Sequence, residues 1–255
     1  MRTILAITRK ELEQYFASPI AYVAIALFLL LAGVFFYIYL GFYIQNAAMA
    51  SQMGGGEGTD LTQSVIRPFI ANLSFFFLII FPLLTMRQFA EEKKQGTYEL
   101  LMTSPLSITQ IVVGKFLGVL SLLVIILLLL CLYPLLLLAF GGHPDPGPLM
   151  TGFLGLLLLG ASFMAFCLFA SSVTKNQIIA AVLGVVFLLV FWIINWLTRS
   201  EEWYGKLLQY ISIYQRFEDF TKGVLNLNDV FYYISFTFFG LFITGIVLQS
   251  QRWRS

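Results

Sequence analysis

The chain has 255 residues, 59% of them hydrophobic and only 11% charged, with a net charge of +2 and a mean hydropathy of +0.87. Ordinary soluble domains carry roughly 25% charge, so this composition cannot coat a water-soluble globule, and 26 phenylalanines exceed what one modest core would bury. Lipid is the expected solvent, the fold class is an all-α integral membrane protein, and nothing points to a nucleic-acid partner.

Residues 1–17 read as an amphipathic elbow helix lying on the membrane surface, because Ile4, Leu5, Thr8, Leu12, Tyr15 and Phe16 recur at helical spacing opposite Arg2, Arg9 and Glu13. Arg9, Lys10, Glu11 and Glu13 interrupt the apolar run that a cleavable signal peptide needs, so the N-terminus is expected to be retained. Ser18-Pro19 supplies a cap and a first-turn proline for a first span over 20–44, long enough for the ~30 Å hydrocarbon layer. Asn46 to Thr62, with Gly54, Gly55, Gly56 and Gly58, reads as a flexible loop.

The second span is predicted over 68–86, and the charge cluster from Arg87 to Lys94 marks its exit from lipid. The third, over 108–140, is longer than the ~20 residues a span needs, so its start near Lys115 is expected to project below the membrane. Gly141 to Pro148 holds three prolines and three glycines and reads as a tight irregular turn into the fourth span, 149–173. After the polar break Thr174-Lys175-Asn176 comes a fifth span, 178–197, ending in the interfacial Trp192 and Trp196. Residues 199–228 mix charge with Trp203, Tyr204, Leu207, Leu208, Ile211, Tyr214 and Phe217, as expected of extracytoplasmic interfacial helices resting in the headgroup layer. A sixth span, 230–248, closes the chain.

Six spans put both termini on one side. Of the 15 Lys and Arg residues, Arg2, Arg9, Lys10, Arg87, Lys93, Lys94, Lys115, Lys175, Arg252 and Arg254 fall on that side, which predicts that both termini are cytoplasmic.

The spans hold almost no acids, bases or metal ligands, so no catalytic, cofactor or metal site is read. His143 is the sole histidine and sits in a proline-rich turn with only Asp145 nearby, short of a ligand set. Gly54 to Gly58 lacks a following Lys-Ser/Thr, and Thr109 to Phe116 lacks the first glycine and the hydroxyl of a phosphate loop, so the chain is not expected to bind ATP by that route. Cys131 and Cys167 lie in apolar runs and read as packing residues.

The most informative stretch is Arg87 to Lys115. Gly96 interrupts the descending helix, Thr97 is placed to cap a short helix carrying Tyr98 to Met102, Ser104-Pro105 ends it, and Ser107 with Gln110 forms a capping box for the third span. Tyr98, Leu100, Leu101 and Met102 put apolar surface into this loop, which suits a docking partner better than a merely solvated connection, although the membrane surface is the alternative.

The pattern Glu92-x-x-x-Gly96-Thr97-x-Glu99-x-Leu101-x-x-Ser104-Pro105, followed by Lys115, resembles the permease subunits of ABC-2 type transporters. Phe217-Glu218-Asp219-Phe220-x-x-Gly223-Val224, then Asp229-Val230 and Tyr232-Tyr233, resembles the gliding-motility branch of that family, and Arg9-Lys10-Glu11-Leu12-x-x-Tyr15-Phe16-x-Ser18-Pro19 fits as well. The resemblance implies a single transmembrane domain in a bacterial inner membrane. It would pair with a second copy or a sister permease and sit on ATP-binding cassette subunits, which hold the ATP and magnesium. It further implies that the short helix after the second span is a coupling helix, in which Glu92, Gly96, Thr97, Tyr98, Glu99, Leu100, Ser104 and Pro105 meet the ATPase. Lys175, Asn176 and Gln177 would make a second cytoplasmic contact, and the elbow would pack beside the coupling helix.

Asn72 and Asn195 are costly in lipid unless paired, and interhelical bonding is favoured over substrate contact. Pro82 and Pro134 are expected to bend their helices. Gly114-x-x-x-Gly118 and Ala161-x-x-x-Ala165 allow close helix approach, within one subunit or across a dimer seam. The expected function is that of a permease subunit moving a substrate out of the cytoplasm or between leaflets. Its rivals are a membrane scaffold coupling an ATPase to a partner with a large extracytoplasmic domain, and an ATP-independent secondary transporter. The latter usually shows intramembrane ionisable residues or repeated broken helices, and neither is evident.

Overall fold

The computed structural model describes residues 2–52, 60–103, 106–197 and 212–252; the side chains of Ile20, Leu101, Met102 and residues 195–197 also lie outside the description. The described elements are helices, with no strand among them. They are α1 Arg2–Ala17, α2 Pro19–Gln52, a π-helical turn Thr62–Ile66, α3 Arg67–Thr85, α4 Arg87–Gln95, α5 Thr97–Thr103, α6 Ile108–Leu130, α7 Leu132–Ala139, α8 Pro146–Val173, α9 Gln177–Leu197, α10 Ile213–Thr221 and α11 Leu227–Arg252. Six helical stretches are long and apolar enough to cross a bilayer, as the sequence predicts, and they make the chain a multi-pass membrane protein.

α8 is the central post. Its apolar window is 72% buried, against 17% for the windows of α2, α9 and α11. Small residues let neighbours close on it: a Cβ added at Gly160 would lie 2.7 Å from Leu123 of α6, and one at Gly240 of α11 would lie 3.0 Å from Ala165. The small-residue stripe of α8 therefore serves contacts inside one subunit. α2 buries only a narrow line, with Phe28 against Phe77 and Phe36 against Phe69 at ring distances of 5.8 and 5.2 Å. The remaining surface of α2 faces outward.

The structure departs from the sequence reading in four places. α2 runs on to Gln52, so Asn46 onward is helix rather than loop, and the chain is helical again at Thr62; residues 53–59 lie outside the description. α8 begins at Pro146 rather than at 149, because proline is compatible with a first helical turn whose N–H groups are unpaired anyway. In line with the bend expected at Pro134, the third span breaks at Cys131, three residues earlier, because the proline's missing N–H leaves the preceding turn one bond short. α10 does not merely rest in a headgroup layer: Phe217 and Phe220 are fully buried, and a Cβ at Gly155 of α8 would come within 2.8 Å of Phe220. Most of the rest of that segment, residues 198–211, lies outside the described residues. Finally, α1 does not pack first against the short helix α5. It lies along α6, where Gly114 and Gly118 admit Ile7 and Glu11 at 2.8 and 2.7 Å from would-be Cβ positions, so this pair too works within the subunit.

Candidate functional site

α1, the start of α6, α4, α5 and the last residues of α11 meet at one end of the bundle. α4 continues the second span after a turn at Met86, and its first backbone groups are secured from a distance. The Ser171 hydroxyl of α8 accepts from the N–H groups of Phe89 and Ala90 at 3.1 and 3.2 Å and donates to the Met86 carbonyl at 2.9 Å. That uses the full capacity of one hydroxyl, a single donor and two lone pairs.

At the other end of α4, Gly96 adopts the left-handed conformation (φ 73°) that closes the helix and turns the chain into α5. Thr97 was expected to cap α5, but its hydroxyl instead donates back to the Glu92 carbonyl at 3.3 Å, satisfying an acceptor left open where α4 ends. Inside α5, Tyr98 faces the bundle. Its hydroxyl donates to Gln251 of α11 at 3.2 Å, and the Lys93 ammonium sits 5.1 Å from its ring centre. Burial, with the Glu92 carboxylate nearby, pushes the Tyr98 phenol up to about 12. Glu99 and Leu100 point outward, Leu100 with 73% of its surface exposed. Ser104 and Pro105 lie outside the described residues. The capping box predicted for the third span is present, with both Ser107–Gln110 bonds at 3.2 Å.

One turn further along α6 stands Lys115, 2% exposed. Its ammonium donates to Glu11 of α1, to Glu92 of α4 and to the Gln88 carbonyl, each at 2.8 Å, and lies 5.2 Å from the Phe89 ring centre. Three N–H donors meet three acceptors, so the buried cation is satisfied on every side. Tyr15 of α1 adds a second tie: its hydroxyl donates to the Leu84 carbonyl and accepts from the Gln88 amide, both at 2.8 Å, and burial holds its phenol well above the ordinary range. The result is a mount in which α5 hangs from α4, and α4 is bolted to α1, α6 and α8.

The second predicted contact lies close by. Lys93 donates to the Ser172 carbonyl at the end of α8, to which the Gln251 amide also donates at 3.2 Å. Asn176 caps α9, its side-chain oxygen accepting from the Ile178 N–H at 2.9 Å, while Lys175 is exposed beside it and Gln177 opens the helix. Asn72 is not in this group; its amide donates to the Tyr39 hydroxyl of α2 inside the bundle. The side chain of Asn195 lies outside the described residues.

Glu11, Gln88, Tyr15 and Ser171 were not singled out as site residues by sequence. The available signal was Glu11 itself, an acid set in the apolar stripe of Ile4, Thr8 and Tyr15. Ser171 gives no local signal at all.

The sequence from residue 5 to 248 matches the family model described as ABC-2 family transporter protein. Among curated proteins, none matches the chain. Such membrane proteins are generally the permease component of ATP-binding-cassette exporters, working with ATP-binding cassette subunits rather than hydrolysing ATP themselves. With nearly the whole chain matched and six apolar helices in place, the protein belongs to the ABC-2 transporter family.

Proposed function

We propose that this chain is the permease subunit of an exporter whose ATP is hydrolysed by a separate cassette subunit, and that α5 is the coupling helix that subunit grips. The observation that carries the reading is the division of labour within α5: Tyr98 is anchored inward to Gln251 while Glu99 and Leu100 are left bare on a rigid mount. An outward face on a tethered short helix, in a chain of this family, supports reading α5 as the docking element. Glu92, Gly96 and Thr97 set its angle, and Ser104-Pro105 would end it. Lys175 to Gln177 form the smaller second contact. On this reading the α5 end faces the cytoplasm of a bacterial inner membrane, both termini lie there, and a second permease packs on the apolar faces left open by the outer spans. The resemblance of the motif from Phe217 to Tyr233 supports reading the chain as one of the gliding-motility branch.

The test is co-purification from detergent with the segment from Gly96 to Ser104 intact or replaced by a flexible linker of equal length. A cassette ATPase should follow the intact chain and be lost with the replacement; equal recovery in both sinks the assignment of α5. In the assembled complex, Glu99→Arg should lower stimulated ATP hydrolysis while membrane insertion stays unchanged.

A further inference from the structure

Four helices meet around one backbone oxygen at the α5 end. Ser172 lies in the last turn of α8, where carbonyls have no partner further along their own helix. Its carbonyl accepts from the Gln251 amide of α11 at 3.2 Å and from the Lys93 ammonium of α4, so both lone pairs are used. The other half of the same amide, Gln251 Oε1, accepts from the Tyr98 hydroxyl of α5 at 3.2 Å. Gln251 therefore donates to the end of the central post and accepts from the short helix. Neither a carboxylate nor an ammonium could do both.

α5 is thus held from two directions. Gly96 joins it to α4 and, through α4, to the Lys115 junction, while Gln251 joins it to α11. The second route leads across the molecule. α11 is one helix of 26 residues, about 39 Å at 1.5 Å per residue, which exceeds the ~30 Å hydrocarbon layer. At its far end it is fastened to α10, where the Tyr233 hydroxyl donates to the Ile213 carbonyl and Asp229 pairs with Arg216, each at 2.7 Å. Along its length it buries a single stripe, Tyr233, Gly240, Thr244 and Leu248. A rigid helix fixed at one end, packed along one narrow face and gripped at its last turn has the properties of a lever.

We propose that Gln251 is a positioning residue that hands displacement of α5 to α11, so that the last span swings about its attachment to α10. The inference rests on the reading of α5 as the coupling helix and adds the path by which a push on α5 leaves it. Two substitutions separate the bond from the packing. Gln251→Met keeps the length of the side chain and loses both hydrogen bonds, whereas Gln251→Glu keeps an acceptor for the Tyr98 hydroxyl beside the Lys93 ammonium.

The test uses the complex that the full chain forms with its cassette ATPase. Nitroxides are placed at Val23→Cys in α2 and Ser250→Cys in α11, both exposed positions, with Cys131→Ala removing the partly exposed native thiol. Electron–electron double resonance then compares the nucleotide-free complex with one trapped by ATP and vanadate. The distance distribution should shift on trapping, the shift should be lost in Gln251→Met and kept in Gln251→Glu, and recovery of the ATPase should be the same in all three. No shift with the native Gln251 overturns the proposal without reliance on any variant of that residue. A shift of the same size in Gln251→Met overturns Gln251 as the carrier, and loss in Gln251→Glu as well overturns the Tyr98 bond as the contact that carries the motion. An ATPase that fails to follow the intact chain, or is recovered equally when Gly96 to Ser104 is replaced, removes the coupling-helix reading and this inference with it. Normal dependence on that segment with no movement at Ser250 strikes this inference alone.

Discussion

At one end of the bundle three helices converge on a charge, Lys115, and at the other end α10 converges on α8 through rings, Phe217 and Phe220. Among the described residues, the far end is tied by hydrogen bonds and an ion pair. The Thr151 hydroxyl bonds the Phe220 carbonyl at 2.7 Å, Tyr233 bonds the Ile213 carbonyl at 2.7 Å, and Arg216 pairs with Asp229 at 2.7 Å while lying over the Tyr232 ring. The Lys115 end keeps a cavity between α1 and α4. Directional bonds to a single cation define an angle between helices yet can be remade after a small shift, whereas interlocked rings cannot shift without opening a void. One end is thus suited to receive movement and the other to resist it.

The largest expected effect comes from breaking the charged junction. Lys115→Met leaves Glu11 and Glu92 facing each other without their shared cation and should cost about 3–5 kcal/mol, the usual penalty for removing one partner of a buried pair. Thermal unfolding of the purified chain in detergent should show a marked drop in midpoint, and limited proteolysis should release α1. Adding Glu11→Gln and Glu92→Gln to the same variant should recover much of the loss. A midpoint unmoved by Lys115→Met would mean that the helices are held by Gly114 and Gly118 packing alone.

The middle effect probes the far end. Gly155→Ala forces a methyl to within 2.8 Å of the Phe220 Cβ, an overpacking worth about 1–3 kcal/mol. The unfolding midpoint should fall, with stimulated ATP hydrolysis in the assembled complex preserved. Lost stimulation at an unchanged midpoint would break the division between the two ends.

The same contrast explains what was legible in sequence. The spans were, since each is an uninterrupted apolar run, and so were Gly96 and the Ser107–Gln110 box, which are settled by residues three or four apart. Lys115 was visible only as part of a motif, because its partner Glu11 is 104 residues away and meets it only once α1 has folded back along α6. Ser171 bonds groups more than 80 residues distant and no local pattern announces it. Phe217 and Phe220 misled in another way: an aromatic face suits a headgroup layer and a protein groove equally, and the groove at Gly155 belongs to a different helix. Pro146 and Pro148 read as turn residues because proline breaks a helix interior and opens a helix start with the same chemistry.

The smallest expected effect lies at the hinge between the mount and α5. Tyr98→Phe removes the bond to Gln251 but keeps the ring under Lys93, so the loss should be about 0.5–1.5 kcal/mol. Its pH dependence reports whether the Tyr98 hydroxyl is buried in the bundle. The Tyr98 phenol is raised from 10.0 to about 12 in the folded chain. A raised phenol favours the folded state fully below the unfolded value, and that advantage fades as pH climbs from 10.0 toward 12, because only the unfolded chain readily ionises there. Phenylalanine does not titrate. The stability gap between the two proteins should therefore be constant below 10.0 and narrow above it. A gap that stays flat through that window would show that the hydroxyl is free of the bundle and that α5 is steadied by the ring alone.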